Sequence, residues 1–226
     1  MNASRTARDR ARAELTMEIK NAARRQCGEV GADALSLRAV ARELGMVSSA
    51  LYRYFPSRDH LLTALIIDAY NAIGEAAEAA EDETLPPIER WCAIWDATRA
   101  WAKAHPHEYA LIYGSPIPGY QAPQDTTAPA SRVALALVRV VASAELKPAF
   151  DGTPPSPALS RQASALATAL ETELEPADAC RLTIAWTQLF GMISFELFGQ
   201  YVGSMDPADE FFAYSARQLA EFIGIR

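Results

Sequence analysis

Between Ser36 and Phe55 the chain carries two short stretches with an apolar face at helical spacing, and a single glycine, Gly45, lies between them. Leu37, Val40, Ala41 and Leu44 form the face of the first stretch, and Leu51 and Phe55 supply the facing positions on the second. Ser36 and Ser48 stand where each helix would be capped. Gly45 permits a sharp bend that a residue with a Cβ resists. Packing through these positions fixes the second helix and leaves its other face open.

The rest of the chain reads as helical almost throughout. Leu15, Ile19, Ala22, Gln26 and Val30 follow one helical face, which predicts a first helix from about Asp9 to Val30 that ends near Gly31. The second helix is expected to run from its cap at Ser36 to about Leu44, and the third from Ser48 to near Phe55. Pro56 and Ser57 break the chain. A long helix then begins at Arg58, with Leu61, Leu65, Ala69 and Ile73 on one face. Pro86-Pro87 fits a helix start but not its interior. Ile88, Trp91, Trp95, Thr98 and Ala102 continue the helix that follows. Pro106 restarts a short helix through Tyr113, and residues 114–123 are turn-rich.

Residues 127–144 are again helical, 146–158 read as a linker, and Leu159, Ala163, Leu166 and Leu170 mark another helix. Helices from Pro176 to about Val202 and from an Asp206 N-cap to Ile223 close the chain. No alternating strand and no internal repeat is present. The expected fold is all-α: an N-terminal three-helix domain over residues 9–56, joined by a long helix to a larger C-terminal helical domain over 57–226.

Charge is divided unevenly along the 226 residues. The whole chain is at −7, but residues 1–60 carry 11 Lys and Arg against 7 Asp and Glu, while the remainder carries 10 against 21. A basic N-terminal part on an acidic body implies local contact with a polyanion rather than nonspecific adhesion. No apolar run reaches the roughly 18–20 residues needed to span a bilayer. The basic start MNASRTARDRARAE lacks an apolar signal core, so a cytoplasmic location is expected. Cys27, Cys92 and Cys180 are isolated in sequence and read as reduced thiols, and no zinc signature joins them to His60, His105 or His107. There is no nucleophile elbow and no phosphate-binding glycine loop, and the chain reads as neither an enzyme nor a cofactor carrier.

The open face of the second short helix offers Ser48, Ser49, Ala50, Tyr52, Arg53 and Tyr54. Small residues at a helix N-terminus let the backbone approach bases, and the N–H groups there favour phosphates. Arginine reads guanine, and a tyrosine hydroxyl reaches phosphate. The arrangement predicts a recognition helix docked by its N-terminal end in the major groove of double-stranded DNA.

This segment resembles the N-terminal domain of the tetracycline-repressor (TetR) family. The likeness is carried by Ala41, Leu44-Gly45, Leu51-Tyr52, Tyr54-Phe55 and Ser57-Arg58, followed by Leu61-Leu62, and it covers residues 10–62. It implies a sequence-specific repressor whose Ser48, Ser49, Ala50, Tyr52 and Arg53 face the major groove. Ser36, Arg38, Tyr54 and Arg58 would then hold phosphates, with Arg58 standing where the family more often has lysine. The small Ser48-Ser49-Ala50 run shifts specificity toward Arg53, Tyr52 and Arg38.

Residues 101–203 resemble, more weakly, a C-terminal class of the same family that carries a Trp-x-x-x-His-Gly element. Here Trp186 precedes Phe190, which stands at the histidine before Gly191. The resemblance implies a homodimer and a small-molecule effector that releases the protein from a pseudo-palindromic operator. Gly191 and Gly199, eight residues apart, with Phe195, Phe211, Leu219 and Phe222, are the expected dimer face. Trp91, Trp95, His105, Tyr109, Tyr113, Trp186 and Phe190 are the candidate pocket, with His107 and Gln188 as further polar groups. An aromatic stripe at helical spacing is equally the pattern of an ordinary core, and the pocket rests on the resemblance.

Overall fold

In a computed structural model, which describes residues 2–148 and 152–226, the described chain is all-helical. Residues 149–151, inside the expected linker, lie outside the described residues. The α-helices are α1 (Asn2–Val30), α2 (Leu37–Glu43), α3 (Ser48–Leu51), α4 (Arg58–Ala79), α5 (Pro87–Ala104), α6 (Pro106–Tyr113), α7 (Thr127–Ala142), α8 (Pro157–Ala169), α9 (Pro176–Leu197) and α10 (Ala208–Ile223). Short 3-10 turns cover Ala32–Ala34 and Gln124–Thr126. The chain forms two compact units. One comprises residues 1–70 and 107–127, the other 71–106 and 128–226, so the division falls within α4 rather than at its start.

In the first unit, Ile19, Ala22 and Ala23 of α1 meet Leu37, Val40 and Ala41 of α2, Leu51 of α3, and Leu61, Leu62 and Leu65 of α4 in one buried cluster. Helices α1, α2 and α4 each contribute residues three or four apart, the stripe that a 3.6-residue period places on one face, and α3 contributes Leu51 alone. The single polar member of the expected α1 stripe, Gln26, has a use of its own: its Oε1 accepts the Ser36 backbone N–H at 2.8 Å.

In the second unit, α5 buries Trp91, Ile94, Trp95, Thr98 and Ala102, and α10 buries Phe212, Ala216, Ala220 and Ile223. Trp91 Nε1 donates to the Ala216 carbonyl at 3.0 Å, which ties this buried tryptophan of α5 to α10. Arg99 on α5 holds Glu196 of α9 through two 2.6 Å bonds and also pairs with Asp209 of α10. A bidentate arginine of this kind fixes register as well as charge.

Several ends differ from expectation. Helix α1 starts at Asn2, seven residues before Asp9. Its N-terminal extension is rich in Ala and Arg, both good helix formers. Ser48 is the first helical residue rather than the cap: the extended Val47 takes that position, and its carbonyl accepts the Ala50 N–H. Helix α3 ends at Leu51 because the Arg53 and Tyr54 N–H groups bond three residues back, tightening the last turn. Asp206 is likewise not a cap. Pro207 is, and its carbonyl accepts from Phe211. Helix α9 stops at Leu197, not Val202, because Gly199 takes a left-handed φ of 77° and the Gly199 and Gln200 N–H groups return to the Glu196 and Phe195 carbonyls.

Candidate nucleic-acid interface

The geometry between α2 and α3 follows from two caps. At its start, Ser36 is extended and its hydroxyl accepts the Ala39 N–H at 3.4 Å, while Gln26 satisfies the Ser36 N–H. At its end, Gly45 has φ 65°, and the Gly45 and Met46 N–H groups close back on the Arg42 and Ala41 carbonyls at 3.2 and 2.8 Å. This left-handed glycine closure turns the chain within three residues. Leu51, wholly buried, then anchors α3 in the cluster.

With Leu51 inward, Ser49, Tyr52 and Arg53 are exposed, and Ser48, Ala50 and Tyr54 are half-buried. Arg38 is exposed on α2. The outward set therefore combines two guanidinium groups, a phenol and small hydroxyls on a rigid support. These groups have the donors that base edges and phosphates require.

Two expected phosphate contacts have additional partners. The Arg12 guanidinium lies 5.1 Å from the centre of the Tyr54 ring, a cation–π contact that ties α1 to the end of the recognition segment. Arg58 Nη2 donates to both the Ala32 and Asp33 carbonyls at 2.9 Å. Its Nη1 lies 3.9 Å from Asp59, and its buried Nε has no partner among the described residues. The first residue of α4 thus braces the 3-10 turn between α1 and α2. Ser57 caps the same helix, accepting the His60 N–H at 3.3 Å.

Sequence reasoning missed three residues here. Arg42 is exposed on α2, and its position one turn from Arg38 was the available signal. Val47, 70% exposed, presents an apolar branched side chain directly before Ser48. Arg12 lies within the expected first helix, but its cation–π contact joins it to a residue 42 positions away, which apolar periodicity does not reveal.

The residues expected to line a pocket do not form a single set. Trp91 and Trp95 are wholly buried in the second unit, 5.6 Å apart, with Trp95 a further 5.6 Å from Phe212. Trp95 Nε1 is buried with no partner among the described residues. Trp186 is half-buried, edge-on to the buried Phe190 at 5.6 Å. His105 is exposed, stacked on Trp101, and donates from Nδ1 to the Trp101 carbonyl. Gln188 is exposed on α9. Tyr109 and Tyr113 belong to the first unit, where Tyr113 also meets the Tyr70 ring edge-on; burial raises the Tyr113 hydroxyl pKa well above its usual value.

On the second unit, α9 exposes Ile184, Gly191 and Phe195, and α10 exposes Tyr214. Gly191 has open space where a Cβ would stand, whereas Gly199 serves the helix stop described above. Phe211, Leu219 and Phe222 are half-buried. All three cysteines are free and half-buried. Among the described residues no cluster of His, Cys, Asp and Glu is arranged to hold a metal, and no helix is long and apolar enough to cross a membrane.

Comparison with known proteins agrees with this geometry. Residues 19–65 match the family described as bacterial regulatory proteins, tetR family, and residues 91–219 match the Tetracyclin repressor-like C-terminal domain. The HTH-type transcriptional regulator Rv1816 of Mycobacterium tuberculosis (strain ATCC 25618 / H37Rv) is 39% identical over 221 residues, covering 93% of each chain. The crystal structure of the proposed regulatory protein SCO4313 superposes with a TM-score of 0.76 at 33% identity, over 93% of this chain and 97% of that one. A tetR-family transcriptional regulator from Streptomyces coelicolor shares the fold, with a TM-score of 0.62 at 16% identity over 93% and 80% of the two chains.

Proposed function

The chain belongs to the tetracycline-repressor family of transcriptional regulators, and from that premise we propose that it represses transcription by binding a pseudo-palindromic operator as a homodimer and leaves it when a small molecule binds. The observation that carries this reading is the exposed Ser49-Tyr52-Arg53 surface held over a buried Leu51. Ser48, Ser49, Ala50, Tyr52 and Arg53 enter the major groove, and Ser36, Arg38, Tyr54 and Arg58 hold phosphates. Arg58 does so as part of the brace it makes with Ala32 and Asp33.

The second unit supplies the dimer contact through Gly191, Phe195 and the neighbouring exposed Ile184 and Tyr214, with Gly199, Phe211, Leu219 and Phe222 beside them. Two recognition helices about 34–36 Å apart would then meet successive major grooves. The effector site draws on Trp91, Trp95, Trp186 and Phe190 of the second unit, where Trp95 Nε1, without a partner among the described residues, favours a ligand with a hydrogen-bond acceptor. The Trp186-x-x-x-Phe190-Gly191 run is a variant of the Trp-x-x-x-His-Gly element of its C-terminal class. The protein works in the cytoplasm and carries out no chemistry of its own. Domain roles divide near Pro56, with DNA binding over 9–56 and ligand binding and dimerisation over 57–226.

Selection of bound duplexes from a random-sequence pool by the full chain tests the reading. A two-fold symmetric consensus that changes with Arg53→Ala supports it, and recovery of unenriched sequence refutes it.

A further inference from the structure

The first unit contains a cleft of about 550 Å³ between the C-terminal end of α1 and the α6 segment with its following loop. We infer that this cleft binds a small, mainly apolar organic amine, whose ammonium meets Asp33 and whose occupancy loosens the Arg58 brace and lowers DNA affinity. The volume lies within the range of small-molecule sites. Ala32, Leu111, Pro116 and Ile117 give it an apolar wall. Its polar end is the Asp33 carboxylate and the His107 imidazole, neither of which makes a side-chain hydrogen bond or ion pair among the described residues. An unpaired carboxylate beside apolar surface favours a cation with an apolar body and repels an anion of the same shape.

The cleft is shaped by two close approaches. The His107 ring lies over Gly28, where an added Cβ would come within 3.1 Å of it. The Asp33 carboxylate folds back over Gly31, 2.6 Å from where a Cβ would stand. Cys27 is an inert part of the wall, since burial pushes its thiol up to about 11 despite the lowering effect of Arg58. The functional link is direct. Ala32 and Asp33 line the cleft and also supply the two carbonyls that hold Arg58 at the start of α4. A ligand that shifts this turn alters the residue proposed to hold phosphate, and the coupling is reciprocal.

The coupling rests on the DNA-binding reading, but occupancy of the cleft does not, so calorimetry without DNA separates the two. Tryptamine, indole and indole-3-acetate offer one apolar body with positive, zero and negative charge. Titrated into the full chain, tryptamine is expected to bind about tenfold or more tighter than indole-3-acetate, and Asp33→Asn should abolish the difference. Ala110→Phe, which fills the cleft, should weaken all three; should that variant misfold, the exposed Asp33 position carries the test alone. Absent tryptamine binding, equal binding of the three probes, or a charge preference that survives Asp33→Asn overturns the site. Saturating tryptamine should weaken binding to the selected duplex by about fivefold or more, and an unchanged affinity overturns the coupling. A chain that selects no duplex at all refutes the proposed function and leaves the calorimetric result standing.

Discussion

Arg58 Nη2 donates to the Asp33 carbonyl at 2.9 Å, so the first residue of α4 is bonded to the turn that leads into α2. The same nitrogen reaches the Ala32 carbonyl, which makes Arg58 a brace for the helix-turn-helix as well as a candidate phosphate ligand. Its removal should therefore have two separable effects. Arg58→Ala is expected to lower unfolding free energy by about 1–3 kcal/mol, because two charge-assisted bonds are lost and the Ala32 carbonyl keeps only the Leu35 N–H. It should also shallow the salt dependence of DNA binding by about one phosphate contact. Urea unfolding followed by circular dichroism reads the first effect, and binding titrations at several salt concentrations read the second.

Leu51 is the only wholly buried residue of α3, and the helix has four residues with which to hold its position. Leu51→Ala is expected to cost about 2–5 kcal/mol and to abolish operator binding without touching a DNA-facing side chain. Arg53→Ala, at an exposed position, should leave unfolding nearly unchanged and alter the preferred sequence. Equal thermal stability of the two variants would contradict the anchoring role of Leu51.

Acid should destabilise the second unit through Glu196. Burial acts to raise its carboxyl, but the hydrogen bonds from Arg99 and Lys103 outweigh it and hold the group below its usual value. Asp209 is lowered too, first by its hydrogen bond to Arg99. A depressed carboxyl contributes stability that is present above the unfolded value near pH 4.3 and is lost as pH falls through the lower folded value. All four tryptophans, Trp91, Trp95, Trp101 and Trp186, lie in this unit, so intrinsic fluorescence follows it. Urea midpoints should fall steadily from pH 5 to pH 3, and Glu196→Gln should flatten that fall.

The exposed face of α9 and α10 gives the dimer prediction. Phe195 is 54% exposed, so Phe195→Glu should change the stability of the single chain little. It should shift the sedimentation coefficient from dimer to monomer and weaken operator binding by more than about tenfold, since two half-sites must be held together. A variant that remains dimeric would move the interface elsewhere.

Much of this was legible in the sequence because the helices obey one period. The starts of α4, α5, α6 and α9 at Arg58, Pro87, Pro106 and Pro176 follow from proline, which cannot sit in a helix interior, or from a capping serine. The Gly45 turn and the buried Leu51 were equally readable. Helix ends set by hydrogen-bond geometry were not: α9 stops at Leu197 because of Gly199, a residue that reads as a close-packing glycine until its left-handed conformation is seen. The Arg58 bonds to Ala32 and Asp33, and the cation–π contact of Arg12 with Tyr54, join residues 25 to 42 positions apart, and no local pattern encodes them. Aromatic residues were the least informative, since the same spacing serves a buried pair such as Trp91 and Trp95 and a surface stack such as Trp101 and His105.

The Ser48–Arg53 surface is proposed to read DNA in a dimer. Fluorescence anisotropy of the full chain on a labelled duplex from the intergenic DNA beside its gene, titrated at several salt concentrations, tests this most directly. Two chains per duplex, a linear fall of log K with log salt, and loss of preference over scrambled DNA with Arg53→Ala are expected. Binding that ignores salt, does not distinguish the scrambled duplex, or is indifferent to Arg53→Ala would contradict this reading.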